Sequence, residues 1–183
     1  LKTYLDTLDL SIFSHELSST ISSFGNRYSQ LSKIRVRVDK LNISVKEEVI
    51  YYTKINTDIL TIISLTAKFA PSLELVKALT AYTSFLKSKE RAGIERAVLS
   101  GTFAADKFAS GMFAKWIKLV AEQDSYIDSY LSIASSGSKS FYKTTMSSGI
   151  VAKVNKMRNI ASSKASSGNF GVDSVVFFQT ITK

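Results

Sequence analysis

Apolar residues recur along this chain at intervals of three and four, the spacing that gathers side chains on one face of an α-helix. Leu1, Tyr4, Leu5, Leu8, Ile12 and Leu17 fall loosely on one side and predict a short first helix over Leu1–Leu17. Ser18–Gly25 is Ser-rich and reads as a junction. Phe24, Tyr28, Leu31, Val38 and Leu41 then resume the helical period. Ser44-Val45-Lys46-Glu47 fits a capping box, in which the Ser and Glu side chains each satisfy an orphan N–H at a helix start. The helix it opens carries its stripe on Val49, Tyr52, Ile55, Ile59, Ile62 and Phe69. It stops at the Ala70–Pro71 step, because a residue before proline avoids helical ψ and the ring clashes with the preceding turn.

From Ser72 to Ala109 only Gly93 and Gly101 interrupt good helix formers, which predicts one helix of roughly 55 Å at 1.5 Å per residue. Ser110-Gly111 punctuates it. Met112–Ala134 follows, with Trp116, Leu119, Ile127 and Tyr130 in register. Ser135–Ser140 reads as a loop or cap, and Phe141–Ala165 as a helix with Val151, Val154, Met157 and Ile160 on one face. Ser166–Gly171 is a turn, and Asp173 caps a last piece that runs to Lys183. "SVVFF" alone has strand character, and a lone strand has nothing to pair with. The pattern predicts an all-α fold: long antiparallel helices in an elongated helical bundle, as two stacked four-helix bundles within a single domain over 1–183.

Composition narrows the chemistry. There is no Cys and His15 is the only histidine, so Cys-based zinc sites, disulfides and enzymes needing two imidazoles are excluded. No metal site and no cofactor is expected. His15 reads as an ordinary helix-surface imidazole, no nucleophile–base signature surrounds any Ser, and no phosphate-cradling GxxxxGK[ST] occurs. The chain is expected not to be an enzyme. Its net charge of +9 permits nucleic acid, anionic lipid or a small anion as partner. Lysines are spread singly, and arginine occurs only at Arg27, Arg35, Arg37, Arg91, Arg96 and Arg158, which favours a solvated Lys-rich surface over a nucleic-acid face. No run reaches the ~18–20 apolar residues of a membrane span. "ILTIISLTAKFA" is the most apolar stretch and is broken by Thr, Ser and Lys. No leader is visible, and the chain reads as a soluble piece of something larger.

"KSKERAGIERAVLSGTFAADKF", Lys87–Phe108, is the least ordinary stretch. Gly93, Ala97, Gly101 and Ala105 recur at four-residue spacing, widened by Ala92, Ser100 and Ala104, and form a groove that a neighbouring helix or a ligand can approach closely. Mid-helix Gly93 costs about 1 kcal/mol relative to Ala. Lys87, Arg91 and Glu95 stand at i, i+4 and i+8 and can pair along the helix. The plain reading of this charge is a solvated face. The sharper one places the Arg91 guanidinium between helices, where its planar fork suits a planar oxyanion that Lys would hold only as a point charge.

"KERAGIERAVLSGTFAADKF" resembles the second motif of the nitrate- and nitrite-sensing domain family. "EEVIYYTKINTDILTII" resembles the helix that precedes it, and "GNFGVDSVVFFQTITK" the closing turn and helix. The resemblance covers most of Ser44–Lys183. That family supplies extracytoplasmic sensors of bacterial chemotaxis transducers and histidine kinases, and the signal domain of nitrate-responsive antiterminators. The resemblance implies a helical double bundle that binds nitrate or nitrite between helices. Its arginines come from this motif and from an earlier "KERG" motif in the first long helix. On that basis Arg91, Gly93 and Glu90 are the candidate ligand-binding residues. The earlier motif is missing: after "FSHEL" the chain runs straight into "SSTISSFG". Either this is a divergent member with another ligand, or residues are absent at a Leu17–Ser18 join and again near Leu41–Asn42. The second reading is favoured.

The expectation is therefore a periplasmic ligand-binding domain of an inner-membrane chemotaxis receptor. It would be anchored through segments outside this chain, act as a homodimer, bind a small inorganic anion and no nucleic acid, and signal by helix movement. Two other readings stay open: a helical protein-interaction module without a small ligand, and a helical sensor for another anion such as a carboxylate.

Overall fold

The computed structural model describes residues 7–183 and is all-α, with no strand among the described residues. The helices are α1 (His15–Ser29), α2 (Leu31–Asp39), α3 (Val45–Thr66), α4 (Leu73–Ala104), α5 (Met112–Ile133), α6 (Ser136–Met146), α7 (Gly149–Ser163) and α8 (Ser174–Thr182). Short 3-10 turns lie at Leu10–Ile12 and Ala67–Phe69. The chain divides into two compact units, Leu1–Thr83 and Ser84–Lys183, and α4 contributes residues to both.

In the first unit α1 packs on α3 through Leu17, Ile21 and Leu65, with Leu8, Leu10, Phe13 and Ile62 around them. The inward row of α3 also includes Asp58, whose carboxylate accepts from Arg27 Nε at 2.6 Å and Nη2 at 3.1 Å. A carboxylate is tolerated in that row because this bidentate arginine compensates its charge. The Tyr51 hydroxyl donates to the Arg27 carbonyl at 2.7 Å and fixes the same turn of α1. The capping box forms as expected: Ser44 Oγ accepts from the Glu47 N–H, and the Glu47 carboxylate accepts from the Ser44 N–H and hydroxyl.

Several boundaries differ from the sequence expectation. Residues 1–6 of the expected first helix lie outside the described residues. Beyond them Asp9 caps a single 3-10 turn, and Ser14 is extended and caps α1, so no helix spans Leu10–Leu17. Ser18–Gly25 is not a junction: it is the body of α1, with Ile21 and Phe24 buried. The Ser18 and Thr20 hydroxyls bond back to the Ser14 and Glu16 carbonyls, so Ser and Thr here sit within the helix rather than breaking it. Leu17 and Ser18 are consecutive residues of that helix. At Leu41, which has φ 52°, the backbone closes through Leu41 N–H to Val38 O and Asn42 N–H to Arg37 O. Ile59 and Phe69, expected on the inner stripe of α3 and its exit, face solvent.

The second unit is built on Leu99, Phe103, Trp116, Ala161, Phe170 and Phe177. Its rings meet mostly edge to face: Phe103 lies 5.5 Å from Phe170 and 5.1 Å from Phe177, while Phe108 stacks on Trp116 at 5.8 Å. Helix α4 ends at Ala104 rather than Ala109, because Asp106 takes a left-handed φ of 52°. That carboxylate accepts from the Phe170 N–H at 2.8 Å, and the Asp106 carbonyl from the Asn169 N–H. The "SSGNFG" turn is thus pinned to the end of α4. Phe141–Ala165 is not one helix: Ser148 is extended and opens α7 after α6 has ended at Met146. Asp173 caps α8 by accepting from the Val175 and Val176 N–H groups, each at 2.8 Å.

Candidate functional site

The Lys87–Phe108 stretch lies in α4 and the turn after it, all within the second unit. Leu99 and Phe103 mark the inward side of α4. Counting back four residues from Leu99 on that side gives Glu95, whose side chain is 0% exposed. An ionised carboxylate at such depth requires compensation, and the structure provides it fully. Arg158 of α7 donates from Nε to Oε1 at 2.7 Å and from Nη2 to Oε2 at 2.5 Å. Trp116 Nε1 donates to Oε1 at 3.0 Å, and Gln123 Nε2 to Oε2 at 2.8 Å, both from α5. Arg158 Nη2 also reaches Gln123 Oε1 at 3.1 Å. Two donors on each oxygen fill the acceptor capacity of the carboxylate. The cluster fastens α4, α5 and α7 together, and Glu95 has no lone pair left to act as a base.

One turn earlier on α4 stands Arg91. Its side chain is partly buried, and Nε lies 2.5 Å from Glu122 Oε2 of α5. The buried Nε–H is not aligned on that acceptor, so the contact is one of charge rather than a formed hydrogen bond. Lys118 stands 3.8 Å from the other Glu122 oxygen. Lys87, a turn further back, places its ammonium 5.8 Å from the centre of the Tyr126 ring. The expected pairing of Lys87, Arg91 and Glu95 along one helix is therefore replaced by three contacts to other elements.

Arg96 turns a different way. Its Nη1 donates to Thr182 Oγ1 at 3.0 Å, and its guanidinium carbon lies 4.8 Å from the Phe178 ring centre, both on α8. Among the described residues the small-residue groove is open at both of its glycines. A Cβ built on Gly93 or on Gly101 would meet nothing within 4 Å, and Ala97, Gly101 and Ala105 are exposed. Of the two readings of this stripe, close helix packing and room for a ligand, the open space at both glycines among the described residues is compatible with the second. Gly93 is partly buried beside Arg91, and Glu90 is partly buried on the preceding position. The three carried-over residues are thus adjacent on one turn of α4, with Arg91 reaching to α5.

Arg158, Trp116 and Gln123 were not among the expected site residues. A signal for them existed. Glu95 stands four residues before Leu99 on the inward side, and Arg158 stands between Val154 and Ala161 on the buried side of α7. Two opposite charges, each on a buried face, ask to be paired with each other.

The model of one family, described as nitrate and nitrite sensing, matches residues 2–183. Neither a curated protein nor a solved structure matches the chain significantly. With nearly its whole length matched, the chain belongs to the nitrate and nitrite sensing family.

Proposed function

We propose that this member of the nitrate and nitrite sensing family is the periplasmic ligand-binding domain of a transmembrane chemoreceptor. It binds nitrate or nitrite between helices, with Arg91 as the principal donor and Gly93 and Glu90 beside it. The receptor is anchored in the inner membrane through segments outside this chain, pairs as a homodimer, and signals by helix movement. Family membership supports the ligand class. The observation that carries the site is Arg91: a guanidinium partly buried between α4 and α5, with a buried N–H that has no aligned acceptor. Nitrate is planar, singly charged and offers three equivalent oxygens. A guanidinium meets two of them at once, and charge-assisted bonds of this kind contribute about 1.5–3 kcal/mol each. An anion arriving there competes with Glu122. Releasing Glu122 loosens a tie between α4 and α5, which is the movement the reading requires.

The test is calorimetric titration, with thermal stability as a second readout, against nitrate, nitrite, chloride, sulfate and a panel of carboxylates. Nitrate or nitrite should bind and stabilise while chloride and sulfate do neither. Arg91→Ala should abolish binding with the helical circular dichroism unchanged. Arg91→Lys should weaken it strongly, since the charge survives and the fork does not. Arg96→Gln is the control and should retain binding. Parent-like affinity in Arg91→Ala would place the site elsewhere. A response to carboxylates alone would replace the ligand, and no response to any anion would leave a protein-interaction module.

A further inference from the structure

Between Asp128 and Asp173 the chain contains no acidic residue, yet it carries Lys139, Lys143, Lys153, Lys156, Arg158 and Lys164. Arg158 is committed to Glu95, and Lys164 Nζ donates to the Asn169 carbonyl at 2.6 Å. The other four belong to α6 and α7, where Lys143, Lys153 and Lys156 are exposed and Lys139 is partly so. Helix α6 has no buried residue. One side of it is held to α5: the Tyr142 ring lies 5.7 Å from Tyr130, and the Tyr130 hydroxyl donates to the Ser138 carbonyl. Asp124 and Asp128 stand near that covered side; burial first, then their charges, raise the pKa of the Tyr142 hydroxyl. Phe141, one residue away in the helix, is 75% exposed, and Met146 and Ile150 on either side of the α6–α7 break are 43% and 38% exposed.

A helix with no fully buried residue, a bare phenylalanine and an acid-free, lysine-rich setting has the composition of an interfacial element. We propose that the α6–α7 segment docks on the surface of an anionic phospholipid bilayer, with Phe141 and Met146 entering the headgroup–acyl boundary and the exposed lysines meeting the phosphates. Charge complementarity selects an anionic partner. The exposed apolar side chains select lipid over the phosphate backbone of a nucleic acid, which would gain nothing from Met146 or Ile150. Lysine in place of arginine suits diffuse headgroup charge rather than a bidentate contact. Among the described residues no helix is long and apolar enough to cross a bilayer, so the contact assigned to α6 is a surface one.

The experiment is co-sedimentation of the full chain with vesicles of phosphatidylcholine alone, and of phosphatidylcholine with one-third phosphatidylglycerol. The chain should bind the anionic vesicles, less so as salt is raised, and should leave the neutral ones unbound. Each lysine near such a surface is worth about fivefold in partitioning. Lys143→Gln with Lys153→Gln and Lys156→Gln should therefore weaken binding by roughly 100-fold. Phe141→Ser should weaken it with the salt dependence retained. None of these side chains is buried, and circular dichroism is expected to stay parental. The control is Lys77→Gln with Lys107→Gln, at exposed lysines outside the segment, which should bind as the parent does. Equal binding to both vesicle types, no binding to the anionic ones, or an equal loss in the control would overturn the proposal. Tighter binding of a single-stranded oligonucleotide than of the anionic vesicles would overturn it too.

Discussion

Arg158→Ala removes one partner of the Glu95 pair and leaves the other in place. Glu95 is wholly buried and then keeps two of its four donors, those from Trp116 and Gln123, but no positive charge. Breaking a buried pair in this way costs about 3–5 kcal/mol, and the low end applies because Arg158 is itself one-quarter exposed. At this chain length each kcal/mol shifts the melting temperature by about 2–4 °C, so roughly 6–12 °C should be lost. Trp116 is the only tryptophan and donates directly to Glu95, so its fluorescence reports on this cluster. The unfolding midpoint in urea, read by that emission, is the assay. A companion variant replaces both charges, Glu95→Leu with Arg158→Met. It should recover most of the loss, since well-packed apolar replacements of a buried pair are often neutral. The reasoning fails if Arg158→Ala costs less than about 1 kcal/mol, or if the double variant loses the sum of the two single losses.

Other outcomes follow from the same geometry. Glu122→Gln removes the anion's competitor at Arg91, a partly exposed pair worth about 1 kcal/mol, so nitrate should bind about fivefold more tightly by calorimetry. Gly168→Ala should destabilise the second unit by about 2 kcal/mol or more in the same urea assay. Its φ of +65° disfavours a side chain, and the new Cβ would stand 2.5 Å from the Asp106 carbonyl oxygen. The Ser44 hydroxyl, then its N–H, hold the Glu47 carboxyl below its usual pKa. That contribution to stability is present above the ordinary carboxylate value and is lost as pH falls through the lowered one. Glu47→Gln should flatten this part of the helicity–pH profile measured by circular dichroism.

What the sequence made legible was whatever local chemistry alone decides. The capping box at Ser44, the stop before Pro71 and the Asp173 cap each depend on a few adjacent residues and appear where expected. The break between α6 and α7 was hidden because the apolar spacing continues across Ser147–Ser148 while the backbone does not. The body of α1 was hidden for the opposite reason: its serines looked like a junction, but tertiary burial of Ile21 and Phe24 outweighs their weak propensity. The site divides the same way. Arg91 could be singled out from its motif, whereas Arg158 stands 63 residues beyond its partner Glu95 and acquires meaning only when α7 is laid against α4.

The question posed by the motif was why so much charge stands beside residues with almost no side chain. The structure distributes that charge outward from α4. Arg91 reaches Glu122 on α5, Glu95 reaches Arg158 on α7 and two donors on α5, and Arg96 reaches Phe178 and Thr182 on α8. Three charged side chains within six residues of one helix therefore contact α5, α7 and α8. Their strengths differ. The Glu95 carboxylate is fully buried and fully bonded, so that cluster resists change. The Arg91 contact is partly exposed and poorly aligned, so it yields most readily to a competing anion. The Arg96 contact is exposed and modest, on the order of 1 kcal/mol for a surface cation over a ring. An anion that captures Arg91 would thus loosen α5 against a framework that Glu95 keeps in register. On the proposed reading, a rigid pair beside a labile one on the same helix face would let a small ligand move one neighbour without unfolding the rest.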